Sequence, residues 1–146
     1  MFMISTKKGD KGISEYFGKS ISKSGKLLEA VGTLDELQAV LGLAKLEKIQ
    51  NEISQIMGKN FKIERIKEIE KEIEKLNKKI KIGNKFVIFK KEKAIKLNWV
   101  RTIVRRAERR SVIFRDKNIL IYLNRLSDYI FLLALKEENK IIYKKK

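Results

Sequence analysis

Apolar residues recur at intervals of three and four along most of the chain, which places them on one face of a helix. Just before the first stripe, Thr33 and Glu36 have the spacing of a capping box, in which each side chain satisfies a backbone amide at a helix start. We therefore predict that the first helix begins at Thr33. Its apolar stripe consists of Leu34, Leu37, Leu41 and Ala44.

Four further helices follow from the same pattern. We predict them over residues 46–57, around a stripe at 63–80, and over residues 94–114 and 119–138. A short extended segment, Phe86–Phe89, precedes the fourth helix. The first 26 residues carry glycines among lysines and serines, and this composition predicts a loop or short strands.

Five helices joined by short links predict an all-α protein. The economical arrangement is an up-and-down five-helix bundle, four main helices plus one, with an irregular N-terminal loop and compatible with a ferritin-like topology. A length of 146 residues fits one domain. We divide it into an N-terminal loop, 1–26, and a helical bundle, 33–138.

Composition restricts the chemistry. The chain has no cysteine and no histidine, so thiol nucleophiles, histidine acid–base catalysis and Cys/His metal sites are excluded. No metal-binding motif is visible, and a metal could be held only by oxygen ligands, including those of a bound phosphate. The formal charge of +17 favours anionic partners, although a charged surface without a partner explains it equally well. No signal peptide or apolar run of membrane-spanning length is visible, and we predict a cytoplasmic protein with no membrane partner.

An arginine-rich segment lies in the fourth predicted helix. Arg101, Arg105 and Glu108 fall at i, i+4 and i+7 and share one face, with Arg109 on the same side and Arg106 and Arg110 flanking it. Arginine forks bind phosphate through two bonds. The alternatives are a solvated basic face and a helix that enters a nucleic-acid groove.

Two further segments carry residues that a purely structural role does not explain. Residues 6–12, Thr-Lys-Lys-Gly-Asp-Lys-Gly, could turn backbone amides toward an anion, with Lys7 adding charge, or could form an ordinary surface turn. In the most apolar helix, either Asn124 faces a ligand or the polar residues reflect local pairing of Arg125 with Asp128 at i, i+3.

At these segments the sequence resembles the ATP:cob(I)alamin adenosyltransferases of the trimeric five-helix-bundle type. The matching stretches are Thr-Lys-x-Gly-Asp-x-Gly at 6–12, Glu-Ala-x-Gly-Thr-x-Asp-Glu-Leu at 29–37, Arg-x-x-x-Arg-Arg-Ala-Glu-Arg at 101–109 and Leu-Asn-Arg-Leu-Ser-Asp-Tyr at 123–129. They occur in the family's order. The chain departs from the pattern at Lys8 and Ile13, and Phe89-Lys90-Lys91 stands where the family often has Pro-Gly-Gly.

The resemblance implies transfer of the 5′-deoxyadenosyl group of ATP to cob(I)alamin, with triphosphate released and Mg²⁺ held by the phosphates. It implies that Asp35 pairs with Arg101 of a neighbouring subunit in a homotrimer, and that Phe86 packs beside the corrin. Our predicted catalytic set consists of Asp35, Arg101 and Arg105. We assign ATP binding to Thr6, Lys7, Gly9, Asp10, Gly12, Lys23, Arg105, Arg106, Glu108, Arg109 and Asn124.

The partners expected from this activity are a corrinoid reductase and an adenosylcobalamin-dependent enzyme, with no nucleic acid. Two alternatives stay open on the sequence. One is a basic helical nucleic-acid-binding protein, and the other is a catalytically degenerate homologue that binds ATP.

Overall fold

Five α-helices and two small antiparallel sheets make up the computed structural model, which describes residues 3–83, 86–139 and the backbone of 142–143. The helices are α1 (Lys26–Leu43), α2 (Glu47–Met57), α3 (Glu64–Asn77), α4 (Glu92–Ser111) and α5 (Lys117–Glu138). A hairpin of β1 (Ile13–Tyr16) and β2 (Lys19–Ser22) precedes α1. The second sheet pairs β3 (Val87–Ile88) with β4 (Ile142–Tyr143).

The helices pack as a bundle whose centre is the α4–α5 pair. α1 lies against α4, α2 packs on α1, and α3 packs on α5. Their apolar stripes meet in one core, which gains its stability from removing these side chains from water. The predicted five-helix bundle is confirmed, with two short two-stranded antiparallel sheets added to it. The largest fully buried side chains include Tyr122, Leu34, Leu37, Leu41, Ile53, Ile69, Leu123 and Leu126.

The predicted start of the first helix at Thr33 is wrong. α1 begins at Lys26, after Gly25 in an extended conformation, so Thr33 lies in the middle of the helix. Its hydroxyl donates to the Glu29 carbonyl at 2.7 Å, which is the usual way for a mid-helix threonine to satisfy its side chain. The sequence from Lys26 to Val31 favours a helix, and Gly32 does not end it.

The remaining helix boundaries follow the sequence pattern closely. α2 agrees with its predicted range, α3 stops at Asn77 before the end of its stripe, and a 3-10 turn, Val112–Phe114, completes the fourth helix. The start of α5 is fixed by Asp116, whose side chain accepts hydrogen bonds from the amides of Asn118 and Ile119 at 2.9 and 3.2 Å. The N-cap therefore lies three residues before the predicted start.

A buried ionic cluster ties α2, α3 and α5 together. Arg65 donates from Nε to Glu52 Oε1 at 2.5 Å and from Nη1 to Glu72 Oε1 at 2.8 Å. The Tyr122 hydroxyl donates to the other Glu52 oxygen. Burial, the Glu52 charge and this hydrogen bond all raise the pKa of Tyr122. Each charge in the cluster has an opposite partner, which is the condition under which buried charges are tolerated.

The α5 helix is, among the described residues, the one helix long and apolar enough to cross a membrane by length and composition alone. Its side chains instead contribute to the bundle core, where Tyr122, Leu123, Leu126 and Ile130 are fully buried. A polar set that includes Asn124 and Arg125 occupies the opposite part of its surface. This pattern is that of a core helix.

Candidate functional site

The N-terminal turn is held in shape by one lysine. Lys23 donates from its backbone amide to the Gly12 carbonyl at 2.8 Å and from Nζ to the Gly9 carbonyl at 2.9 Å. Gly12 has φ +72°, and a Cβ on Gly9 would lie 2.6 Å from Lys23 Nζ. The backbone at position 12 therefore favours glycine, whereas a side chain at position 9 would require the flexible end of Lys23 to move. The structure thus brings together three of the predicted ATP-binding residues.

The rest of this turn is open to solvent. Thr6, Lys7 and Asp10 are exposed, and the Asp10 amide donates to the Lys7 carbonyl at 3.3 Å. Lys7 itself has φ 56°, in the left-handed region that a non-glycine residue seldom occupies. The turn is a compact, exposed, positively charged loop, and it leaves the hydroxyl of Thr6 and the carboxylate of Asp10 accessible.

The arginines of α4 form two groups. Arg106 and Arg110 face α1, where Arg106 Nη2 pairs with Glu36 Oε2 at 2.5 Å and Arg110 Nη2 with Glu29 Oε2 at 3.0 Å. Arg110 also donates from Nη1 to the Thr33 hydroxyl at 2.7 Å. Neither carboxylate partner is predicted by the sequence, because α1 and α4 lie about seventy residues apart in the chain.

The second group consists of Arg101, Arg105 and Arg109. It lies along the face predicted from the sequence, which we call the arginine face. Arg105 and Arg109 are exposed, and Arg109 Nη1 donates to the Arg105 carbonyl at 3.1 Å. Arg101 is half-buried, donates from Nε to Asn98 Oδ1 at 2.9 Å, and stacks 5.3 Å from the ring centre of Phe131. Burial, with a smaller contribution from the charge of Arg105, lowers the pKa of Arg101.

Glu108 and Asn124 join α4 to α5 beside these arginines. Asn124 Nδ2 donates to Glu108 Oε1 at 3.2 Å, and Arg125 Nη1 donates to Asn124 Oδ1 at 2.9 Å. Arg125 in turn donates from Nε to Glu70 Oε1 of α3 at 3.0 Å. The local Arg125–Asp128 pairing considered from the sequence is replaced by this longer-range set, in which Asp128 takes no part.

Phe86 projects from the surface just before β3, with 85% of its area exposed. Three residues later Phe89 packs edge-on against Phe131, with ring centres 6.1 Å apart. The same Phe131 carries Arg101 on its ring, so the segment after Phe86 and the arginine face of α4 contact one aromatic side chain. An exposed aromatic of this size is a candidate contact for a flat ligand.

Asp35 lies exposed on α1, beside Glu36 in the sequence. Within one chain, the hydrogen bonds and ion pairs of the described residues join neither Asp35 to Arg101 nor the turn at 6–12 to α4. The predicted site residues therefore form three groups, namely the N-terminal turn, the α4–α5 face and Phe86.

Two cavities open near these groups. One, of about 570 Å³, lies between the start of α1 and the end of α4 and is lined by four cations and Glu29. The other, of about 560 Å³, lies beneath the β1–β2 hairpin, where Lys59 Nζ stacks 3.9 Å from the ring centre of Phe17. No group of three or more potential metal ligands occurs in the part of the chain that the structure describes. The cations of the first cavity are Lys26, Arg109, Arg110 and Arg115.

The chain is similar to proteins of one known family. A family model described as cobalamin adenosyltransferase matches residues 4–137. The corrinoid adenosyltransferase MMAB of Bos taurus is 34% identical over 97% of this chain and 76% of its own length. The corrinoid adenosyltransferase of Bacillus subtilis is 33% identical over 88% of this chain and 83% of its own length.

Solved structures agree with the sequence relatives. A variant of a PduO-type ATP:corrinoid adenosyltransferase from Lactobacillus reuteri, complexed with cobalamin and ATP, superimposes with a TM-score of 0.90 at 25% identity, covering 99% of this chain and 100% of that one. A second variant, complexed with ATP, gives a TM-score of 0.88 at 26% identity, covering 98% of this chain and 100% of that one. The resemblance inferred from the four sequence motifs is confirmed, and the chain belongs to the cobalamin adenosyltransferase family.

Proposed function

We propose that this chain transfers the 5′-deoxyadenosyl group of ATP to cob(I)alamin, giving adenosylcobalamin and triphosphate. The observation that carries the proposal is the face shared by α4 and α5, where exposed Arg105 and Arg109 lie beside the hydrogen-bonded Glu108 and Asn124. Cationic forks next to a carboxylate and an amide suit a ligand that has both phosphates and hydroxyls.

The reaction needs little from the protein beyond position and charge. The electron pair of Co(I) attacks C5′ of ATP, the Co–C bond forms, the C5′–O bond breaks, and triphosphate leaves with the bonding electrons. No protein nucleophile or proton transfer is required, which suits a chain without histidine or cysteine. Alignment of the two substrates lowers the entropic barrier, and arginines stabilise the charge on the leaving oxygen.

We assign the phosphates to the arginine face and to the N-terminal turn. Arg105 and Arg109 have exposed guanidinium groups, and Arg106 keeps a buried Nε without a hydrogen-bond partner among the described residues. The turn would add Thr6, Lys7, the backbone near Gly9 and Gly12, and Lys23, which already holds that turn closed. Mg²⁺ would be held mainly by the phosphates, with the exposed Asp10 reaching it through water.

We assign the ribose hydroxyls to Glu108 and Asn124. Their mutual hydrogen bond is long at 3.2 Å and leaves the second carboxylate oxygen of Glu108 able to accept from a hydroxyl. Phe86 would pack beside the corrin and keep its lower face free of a ligand. Its 85% exposure leaves a flat apolar surface available for that contact.

The proposed assembly is a homotrimer with its sites between subunits. No hydrogen bond or ion pair of the described residues joins the N-terminal turn to the arginine face, and Arg101 is half-buried beside an aromatic ring with no carboxylate partner among them. A neighbouring copy would bring Asp35 to Arg101 and its own N-terminal turn to the arginine face. A corrinoid reductase and an adenosylcobalamin-dependent enzyme are the proposed functional partners, and the cytoplasm is the proposed location.

The geometry of α4 disfavours the nucleic-acid alternative. Glu29 and Glu36 pair with the flanking arginines, and Glu108 lies among the others, so the helix does not present an unbroken cationic stripe. A phosphate backbone in a groove would meet these carboxylates as like charges. We therefore prefer the nucleotide site as the function of this face.

Replacement of Arg105 tests the proposal. Arg105→Ala should abolish corrinoid adenosylation while leaving the helical content unchanged, because the side chain is exposed and supports no core contact. Arg105→Lys should recover only part of the activity, since lysine lacks the two-pronged fork. Lys96→Ala, on the same helix, is the matched control. Full activity in Arg105→Ala would refute the assignment.

A further inference from the structure

The last turn of α5 is hydrogen-bonded to the segment that follows Phe86. Glu138 is only 4% exposed, and its Oε2 accepts hydrogen bonds from the backbone amides of Lys90 at 2.9 Å and Lys91 at 3.1 Å. These residues are 48 and 47 positions earlier in the chain. A buried carboxylate with two backbone donors is a fixed point, because moving either partner would leave it unsatisfied.

The hydrogen bonds of Glu138 hold the backbone just before the first turn of α4. Lys91 is the N-cap residue of α4, and no side chain caps that helix from within the segment. A carboxylate at a helix N-terminus also interacts favourably with the helix dipole. The hydrogen bond from the Lys90 amide lowers the pKa of Glu138 against the opposing effect of burial, with further help from the Lys91 amide and the two lysine charges. Glu138 is therefore a carboxylate acceptor at neutral pH.

Neighbouring contacts hold the same segment from both sides. Glu137 Oε1 accepts a hydrogen bond from Lys93 Nζ at 2.7 Å. The Asn139 side-chain amide, in the orientation that satisfies both its oxygen and its nitrogen, accepts a hydrogen bond from Lys91 Nζ at 3.2 Å. Beyond α5 the chain returns as β4, where Ile142 pairs with Ile88. The segment between Phe86 and α4 is thus fixed at β3 by strand pairing and at its end by Glu138.

We propose that Glu138 is a positioning residue for corrinoid binding, which holds the Lys90–Lys91 backbone and thereby sets the place of Phe86 on the protein surface. The inference rests on the proposed role of Phe86 beside the corrin. An aromatic with 85% of its area exposed has few contacts of its own to define its position. Fixing the backbone that carries it lowers the entropy lost on binding a flat ligand, so the corrinoid meets a preformed surface.

The proposal is tested with Glu138→Ala and Glu138→Gln. The alanine variant removes both hydrogen bonds. The glutamine variant keeps an oxygen at the same place and should restore the clamp, by which we mean the hydrogen bonds from the Lys90 and Lys91 amides to the residue 138 side chain. Glu137→Gln is the matched control, because it alters the neighbouring ion pair and leaves the backbone hydrogen bonds intact. Circular dichroism at the assay temperature checks that each variant is folded.

Three measurements distinguish the hydrogen bonds of Glu138 from their effect on corrinoid binding. The first is hydrogen exchange at the Lys90 and Lys91 amides, which should quicken in Glu138→Ala alone. The second is steady-state kinetics with each substrate varied in turn. In Glu138→Ala the KM for cobalamin should rise roughly tenfold, as expected for a displaced positioning element, while the KM for ATP stays within about twofold. The third is the spectrum of bound cob(II)alamin. In Glu138→Ala a smaller share of the bound corrinoid should lack the lower ligand.

Each contrary result has a distinct meaning. Unchanged exchange at Lys90 and Lys91 would overturn the clamp. Faster exchange with both KM values raised alike, or with neither raised, would overturn the corrinoid-specific role. A wild-type chain that failed to turn over cobalamin would overturn the proposed function and this proposal together, and the exchange data would still show whether the clamp exists.

Discussion

The side-chain amide nitrogen of Asn124 on α5 donates to Glu108 Oε1 on α4 at a distance of 3.2 Å. This contact crosses the main helix–helix interface at the edge of the arginine face. Because Arg125 also holds the amide oxygen of Asn124, the amide can be oriented in only one way. These two hydrogen bonds order the polar group of the proposed ribose site, and an ordered binding group lowers the entropy cost of ligand binding.

Removal of Asn124 should weaken nucleotide binding more than folding. Asn124→Ala leaves Glu108 and Arg125 without their shared partner, and the KM for ATP should rise about tenfold, equivalent to roughly 1.4 kcal/mol. The KM for cobalamin should stay near the wild-type value. Asn118→Ala, in the first turn of the same helix, is the control. Equal effects on the two substrates would contradict the assignment of Asn124 to the ATP side.

Glu70 should influence the same site from a distance. It pairs with Arg125, which orients Asn124, so Glu70→Gln should raise the KM for ATP by about two- to fivefold, a small effect because the pair is partly exposed. Glu74→Gln is the matched control, since Glu74 lies on the same helix and pairs with Lys78 instead. The difference between the variants should shrink at high salt. A KM for ATP in Glu70→Gln that matches that of Glu74→Gln would show that Arg125 needs no such support.

The sequence predicts those features that depend on local spacing. The leucine and isoleucine stripes locate four of the five helices to within a few residues, and the arginine spacing correctly places Arg101, Arg105 and Glu108 along one face. The start of α1 was misplaced because Gly32 and the Thr33–Glu36 pair imitate a helix boundary. Tertiary packing keeps the helix continuous there, and Thr33 serves Arg110 instead.

Contacts between distant segments leave no comparable signal. Glu36 and Arg106 are 70 positions apart, and neither carries a mark that identifies the other as its partner. The two-residue strands β3 and β4 are too short to show alternation, so their pairing was not predicted. The resemblance to the family supplied the site residues, but it gave no indication of Glu70 or Glu138.

Loss of Glu52 should destabilise the fold. It is 5% exposed and satisfies both Arg65 and Tyr122, so Glu52→Ala leaves a buried guanidinium and hydroxyl without partners. The free energy of unfolding should fall by about 3 kcal/mol, the usual cost of breaking a buried ion pair from one side. Urea denaturation followed by circular dichroism measures it. Glu47→Ala, exposed on the same helix, should cost less than about 1 kcal/mol. A similar loss in both variants would contradict the importance of the buried cluster.

The same cluster should make the fold sensitive to acid through Glu72. Burial tends to raise the pKa of Glu72, but hydrogen bonds from Arg65 and Tyr129, with the charges of Arg65 and Lys48, outweigh it and hold the pKa below its ordinary value of 4.5. On the other side of the contact, burial followed by the Glu72 hydrogen bond raises the pKa of Tyr129 to about 12, so the phenol stays a donor at every pH of interest. A carboxylate whose pKa is lower in the folded than in the unfolded state binds fewer protons when folded. Its stabilisation is therefore present above pH 4.5 and is lost as the pH falls through the folded-state pKa.

We expect the free energy of unfolding to decline below pH 4.5 more steeply in the wild type than in Glu72→Gln. Tyr129→Phe removes one donor, which raises the folded-state pKa of Glu72 toward its ordinary value and should make the decline smaller. Parallel pH profiles for the wild type and Glu72→Gln, measured by urea denaturation, would show that Glu72 does not contribute to the acid sensitivity.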